Sequence, residues 1–171
     1  MYASLPARIL HAAVAGVALL AAAAEAAESN TEGTVAVLHP LTLIKRGDLD
    51  FGTVAPVTGA GTVTIDPTTK AVSTTGGVQV LGGTPYPAMF TGAANQKSVV
   101  IVRIPKQPIT VRRVGGTETM VVSNFKLEGL DKREAAAKVA FDFHVGATLN
   151  VSANQREGAY IGTFDVTVQY P

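Results

Sequence analysis

The side chains that could carry catalysis or bind a metal are few and scattered along this chain. The histidines, His11, His39 and His144, lie far apart and lack the spacing of a metal-ligand set. Asp48 and Asp50 share one face of a strand, but no other acidic residue completes a catalytic pair with them, so we interpret them as part of a solvated turn. Without cysteine or a Gly-x-Ser-x-Gly sequence, a thiol nucleophile and a serine elbow are excluded. We therefore expect no enzyme, no metal site and no cofactor.

Basic residues form one modest cluster around a predicted hairpin. It contains Arg103, Lys106, Arg112 and Arg113, and no aromatic side chains are interleaved with them. The formal net charge of the whole chain is only +1, which gives no electrostatic reason to expect nucleic acid or an anionic membrane as partner. We interpret the cluster as a charged loop, with binding of an acidic ligand as the alternative.

The N-terminus has the features of an export signal. Arg8 precedes an apolar run, Ile9–Ala24, and Ala24-Glu25-Ala26 then supplies small residues at the positions that a signal peptidase reads. The run is short for a membrane span, although a membrane anchor is the alternative. We predict a signal peptide over residues 1–26 and no transmembrane segment in the mature chain. Because the exported chain has no cysteine, its stability must come from a core rather than from disulfides.

Short segments rich in β-branched and alternating apolar residues fill most of the remaining chain, separated by Gly, Pro and Asn turns. This spacing predicts an all-β sandwich of short antiparallel strands. One stretch, Asp131–Lys138, has the composition of a helix and allows about two turns. The predicted strands include Thr34–Ile44, Asp48–Val54, Gly61–Asp66, Val78–Leu81, Ser98–Ile104, Met120–Leu127 and Ala140–Val151.

The last stretch of the chain alternates most regularly. On one parity it carries only glycine and apolar or aromatic residues, and on the other it is mostly polar, so it predicts one strand with an apolar face. A strand at the end of a chain can offer a sheet edge to another chain. The residues of the first parity are Gly158, Tyr160, Gly162, Phe164, Val166, Val168 and Tyr170.

Four segments carry a resemblance to known families. Leu49–Val54, Gly61–Pro67, Gly76–Val78 and Val145–Tyr170 resemble a bacterial family known as domain of unknown function 4402, and the resemblance covers most of residues 41–171. The alternation that ends at the penultimate Tyr170 is similar to the C-terminal strand of pilus (fimbrial) subunits of the chaperone–usher pathway.

The resemblance to pilus subunits implies an immunoglobulin-like sandwich that lacks its last strand. A strand from a periplasmic chaperone, and then from a neighbouring subunit at the usher, would fill the gap. It further implies export in a Gram-negative bacterium, to the periplasm, the cell surface or beyond. The residues implied at the partner-strand edge are Gly158, Tyr160, Phe164, Val166, Val168 and Tyr170, and those implied in the donor strand are Val35, Val37, Leu41 and Leu43.

These implications divide the chain into a signal peptide (1–26), an N-terminal extension or first strand (27–44) and a β-sandwich domain (45–171). The expected function is that of a structural subunit of a surface filament, assembled by β-strand addition. Many pilus subunits carry a disulfide, which this chain cannot form, and Pro40 interrupts the donor segment, which could instead pair within its own domain. The alternative function is a self-complete secreted sandwich that binds a ligand or host surface through the loops at Arg112-Arg113 and Asn154-Gln155-Arg156.

Overall fold

The computed structural model describes residues 40–171. The predicted signal peptide, Val35, Val37, His11 and His39 lie outside these residues. The described part contains strands and no helix, so it has no helix long and apolar enough to cross a membrane. The strands are β1 (Leu41–Gly47), β2 (Thr53–Ile65), β3 (Val72–Gly82), β4 (Ala88–Ala94), β5 (Ser98–Arg103), β6 (Ile109–Arg113), β7 (Thr119–Leu127), β8 (Lys132–Ala135), β9 (Ala140–Val151), β10 (Tyr160–Ile161) and β11 (Thr167–Gln169).

The larger sheet is organised around β9. Its path is β1-β4-β9-β7-β6-β10, with β2 added to β9 and β3 added to β2, and every pairing is antiparallel. The middle of β9, from Phe143 to Leu149, is buried at every residue, as expected for a strand covered on both faces. Gly146 has no room for a Cβ, because the carbonyl oxygen of Ile65 and the ring of Pro67 lie against it. This glycine therefore lets the end of β2 pass close to the central strand.

The smaller sheet has the order β11-β5-β8 and is also antiparallel.

The β2–β3 hairpin bends in its middle, and this bend lets it contribute to the sandwich. The register of β2 against β3 shifts between Pro56 and Gly61, and neither Gly61 nor Gly76 has room for a Cβ against the opposite backbone. Beyond this bend, Val54 and Val80 pack against the core formed by the larger sheet.

The predicted all-β sandwich is confirmed, and its core consists of three clusters of buried residues. Cluster 1 joins β2 and β3 to β7 and β9, cluster 2 joins β4 and β9 to β5, and cluster 3 lies where β4, β5 and β8 meet. Their buried residues are Val63, Val78, Met120, Val122, Ala147, Leu149 and Val151 (cluster 1), Ala88, Phe90, Val102, Phe143 and Val145 (cluster 2), and Ala94, Val100 and Ala135 (cluster 3).

The helix predicted at Asp131–Lys138 is wrong. Lys132–Ala135 forms β8, which pairs with β5, and the side chain of Ala135 is buried in cluster 3. The guanidinium of Arg133 lies 5.4 Å from the centre of the Phe143 ring and donates to the carbonyl oxygens of Glu128 and Leu130. Helix propensities differ by only a few tenths of a kcal/mol per residue, about 0.7 at most among ordinary residues, so burial and strand pairing override them here.

Candidate strand-addition site

The C-terminal stretch does not form the single strand that its alternation predicts. Tyr160–Ile161 forms β10 on β6 of the larger sheet, while Thr167–Gln169 forms β11 on β5 of the smaller sheet. Residues 162–166 connect the two sheets outside any strand. A Cβ at Gly162 would lie 2.7 Å from a methyl group of Val111 and 3.1 Å from the carbonyl oxygen of Thr110, so the chain leaves the larger sheet at a position where a side chain would crowd β6.

The alternation of the C-terminal stretch nevertheless correctly predicts which side chains face the core. The odd-numbered side chains from Ile161 to Gln169 are exposed, whereas the aromatic and apolar even-numbered ones are half-buried. Phe164 packs on Phe125, with the ring centres 5.1 Å apart, and Val166 packs on cluster 2. Val168 packs on clusters 2 and 3, so β11 forms part of the wall of the sandwich.

Tyr170 ends this wall with a buried polar atom. Its ring packs on cluster 3, and its hydroxyl is buried without a hydrogen-bond partner within residues 40–171. A buried hydroxyl without a partner costs roughly 1–3 kcal/mol, so a group that could bond to it would bind favourably at this position.

The opposite wall is formed by β1. Leu41 packs on cluster 3 and Leu43 on cluster 2, and both residues pair with β4 of the same domain. Two of the four predicted donor residues therefore lie in a strand of their own domain. Residues 41–44 of the segment predicted as an N-terminal extension or first strand (27–44) lie in β1. Val35 and Val37 lie outside the described residues.

The open edges of β1 and β11 lie side by side. Cα atoms of the two strands come within 8 Å of each other, yet within residues 40–171 no backbone ladder joins them. Leu41 and Tyr170 both pack on cluster 3, and Leu43 and Val168 both pack on cluster 2. We call this place the β1/β11 slot and define it by Leu41, Leu43, Val168 and Tyr170. Phe141 of β9 packs on both clusters beneath it.

Residues 41–170 match the sequence model of a family described as "Domain of unknown function (DUF4402)". The chain belongs to this family. The match begins at the first residue of β1 and ends at Tyr170, so both edges of the slot lie inside the DUF4402 domain. No curated protein matches the chain, and no solved structure matches it.

The other residues predicted at the partner-strand edge lie elsewhere in the DUF4402 domain. Gly158 lies against the side chain of Arg113, and Tyr160 packs on cluster 1. The Tyr160 hydroxyl donates to the carbonyl oxygen of Arg156 at 2.6 Å and accepts from Nε2 of Gln155 at 2.6 Å. Of the residues predicted at the partner-strand edge, the β1/β11 slot therefore contains only Val168 and Tyr170. Phe141, which sequence reasoning missed, is an apolar residue of a predicted strand, but no pattern distinguishes it from ordinary core.

The predicted basic loop is partly neutralised. Arg113 Nε lies 2.7 Å from Oε2 of Glu118, and this hydrogen bond lowers the pKa of Glu118 to about 2. Arg112 Nε donates to the carbonyl oxygen of Gly116 at 2.9 Å. Both arginines are therefore held within the turn between β6 and β7 and its flanking strands.

The remaining basic residues, Arg103 and Lys106, line a shallow cavity of about 410 Å³. Phe164 and Asp165, from the segment that connects the two sheets, line the same cavity. Its wall thus combines two cationic residues, one acidic residue and an aromatic ring.

Each candidate catalytic or metal-binding side chain in the described part of the chain has an ion-pair or hydrogen-bond partner. Asp48 forms an exposed ion pair with Lys45 at 2.6 Å, and Asp50 accepts the backbone N–H two residues further on. The buried His144 has its Nδ1 2.6 Å from Oε2 of Glu128. Within the described part of the chain, no group of three or more potential metal-binding side chains occurs.

Proposed function

We propose that the protein is a non-enzymatic structural subunit of a bacterial surface filament, and that its copies assemble by β-strand addition. A strand from one copy pairs along an open strand edge at the β1/β11 slot of the next copy. The observation that carries the proposal is the pair of open strand edges within 8 Å of each other, above apolar side chains that both strands share. An open strand edge is a template for pairing with another chain.

Strand addition supplies two kinds of interaction at this position. Main-chain hydrogen bonds to the open edge provide affinity, and alternate side chains set the register against the groove. The incoming backbone also offers a partner to the buried hydroxyl of Tyr170. The donor in this proposal is the segment that contains Val35 and Val37, because Leu41 and Leu43 already pair with β4. A periplasmic chaperone and an usher are the further partners that we propose.

Two adjacent residues of β11 allow a matched test. Val168 is half-buried and packs on the core, while Gln169 is exposed on the other face. We expect Val168→Glu to abolish both chaperone capture and the ladder of assembled copies, whereas Gln169→Glu should leave both intact. The readout is gel electrophoresis of unheated samples from an exported preparation, with far-UV circular dichroism of each variant. A Val168→Glu protein that assembles like the wild type would contradict the proposal.

A second candidate is a self-complete sandwich that binds an acidic ligand through its loops. Two observations favour it: β1 pairs within its own domain, and Arg103 and Lys106 line one cavity. This function requires a monomer that melts cooperatively without a chaperone. It also requires binding of an anionic oligosaccharide that is weakened at least tenfold by the Arg103→Ala/Lys106→Ala double variant. Calorimetric titration with such an oligosaccharide, beside light scattering, separates the two candidates.

A further inference from the structure

The outer edge of β3 is also open in the described part of the chain. Within residues 40–171, β3 pairs only with β2, so its other side is open over 11 residues. It contains no charged residue and no proline. By contrast, β8 is Lys-Arg-Glu-Ala and β10 has only 2 residues. Natural proteins usually protect edge strands with charges, proline or short length, so β3 stands out as a pairing surface.

The backbone hydrogen bonds indicate which residues of β3 face outward. The N–H of Asp66 donates to the carbonyl oxygen of Ala71 at 3.0 Å, at the turn that joins β2 to β3. In an antiparallel pair, hydrogen-bonded positions recur at every second residue. Ser73 and Thr75 therefore bond to β2, while Val72 and Thr74 direct their N–H and C=O groups away from it.

The side chains of Ser73 and Thr75 lie on the outer face of the larger sheet. Each is the last member of a row of polar side chains that runs across neighbouring strands. In the first row, Ser73 pairs with Thr64, which pairs with Thr148 of β9. In the second, Thr75 pairs with Thr62. Within these rows, the hydroxyl oxygens of Thr62 and Thr75 are 2.7 Å apart, and those of Thr64 and Thr148 are 2.9 Å apart. Both rows stop at exposed residues of β3.

We propose that β3 pairs antiparallel with β3 of a second copy, about a two-fold axis at Thr74. In this register, Thr74 exchanges backbone hydrogen bonds with Thr74 of the second copy. Ser73 of each copy faces Thr75 of the other, so each polar row continues into the second sheet. Cross-strand Ser and Thr pairs of this kind are favourable, and an uncharged strand meets its own copy without repulsion.

The inner side of the same edge has room for the partner. A cavity of about 480 Å³ there is lined by Val72, Thr74, Gln79, Val80 and Pro85. The inward side chain of Thr74 from the second copy would lie at this cavity. This contact is separate from the β1/β11 slot, and its two-fold symmetry closes it at two copies.

Cysteine pairing tests the register directly, because the chain has no cysteine of its own. Opposite residues at a non-hydrogen-bonded antiparallel position have Cα atoms about 4.5 Å apart, which a disulfide accepts. Ser73→Cys and Thr75→Cys proteins, oxidised as a mixture, should form at least ten times more disulfide-linked dimer than either protein alone. A dominant bridge in the Ser73→Cys protein alone, equal yields in all three samples, or no bridge would overturn the proposal.

A proline variant tests the pairing without relying on a disulfide. Thr74→Pro removes an N–H that points away from β2, so the circular dichroism spectrum should stay unchanged while the dimer dissociation constant rises at least tenfold. Thr74→Val keeps the N–H and should keep the dimer. Sedimentation velocity over a range of concentrations measures both. A wild-type protein without the dimer, or a Thr74→Pro protein that dimerises as before, would refute the inference.

Discussion

Phe143 is the largest fully buried side chain in the described part of the chain, so its replacement gives a quantitative test of the core. The residue is 0% exposed, its ring stacks on Phe90 with centres 5.4 Å apart, and Arg133 lies over the ring. Truncating a fully buried Phe to Ala costs about 4 kcal/mol, because transfer and cavity contributions add. For a domain of this size, that loss lowers Tm by about 15 °C.

The assay is urea unfolding followed by far-UV circular dichroism, since the chain has no Trp. Leu130→Ala serves as the control, because Leu130 is 76% exposed and should change the free energy of unfolding by less than about 0.5 kcal/mol. Leu substitutions at Phe143 and Phe90, alone and together, should show a coupling of about 1 kcal/mol from the stacked rings. A loss below about 1 kcal/mol for Phe143→Ala would refute the packing described here.

Two further substitutions follow from local geometry. The hydrogen bond from Arg113 lowers the pKa of Glu118 from 4.5 to about 2, so its contribution to stability is complete above pH 4.5 and is lost as the pH falls toward 2. Glu118→Gln should flatten the fall of Tm with pH across this interval, and an unchanged profile would contradict the ion pair. Gly146→Ala should cost about 3 kcal/mol in urea unfolding because its Cβ meets the carbonyl oxygen of Ile65, whereas Gly82→Ala, with open space around it, should be neutral; equal effects would contradict this contact.

The sequence predicts the burial of side chains at the C-terminus better than it predicts their sheet. The alternation from Tyr160 to Tyr170 correctly separates half-buried from exposed side chains. It does not reveal that the chain moves from β6 to β5 between these residues, because a period of two is the same in both layers of a sandwich. Gly162 marks the change, but a glycine in a strand pattern also occurs at bulges, bends and close backbone contacts.

The same limit applies at the N-terminus and at β8. Leu41 and Leu43 have the pattern expected of a donor strand, yet a strand of the domain's own sheet has the same pattern, and in the structure both residues pair with β4. In Asp131–Lys138, local propensity favours a helix, while the burial of Ala135 beside Val100 depends on residues distant in the sequence. The fold class follows from local patterns, whereas the identity of each strand's partner requires the tertiary structure.

Strand donation into the β1/β11 slot is tested most directly by light scattering coupled to size-exclusion chromatography. The first sample is residues 27–171, the chain without the predicted signal peptide. The second also lacks residues 27–39, which leaves all of β1 in place. The proposal predicts a ladder of copies for the first sample. For the second, it predicts a domain that a separate peptide of residues 27–39 binds and stabilises. A stable monomer of residues 27–171 that melts cooperatively, and that no added peptide binds, would contradict assembly by strand donation.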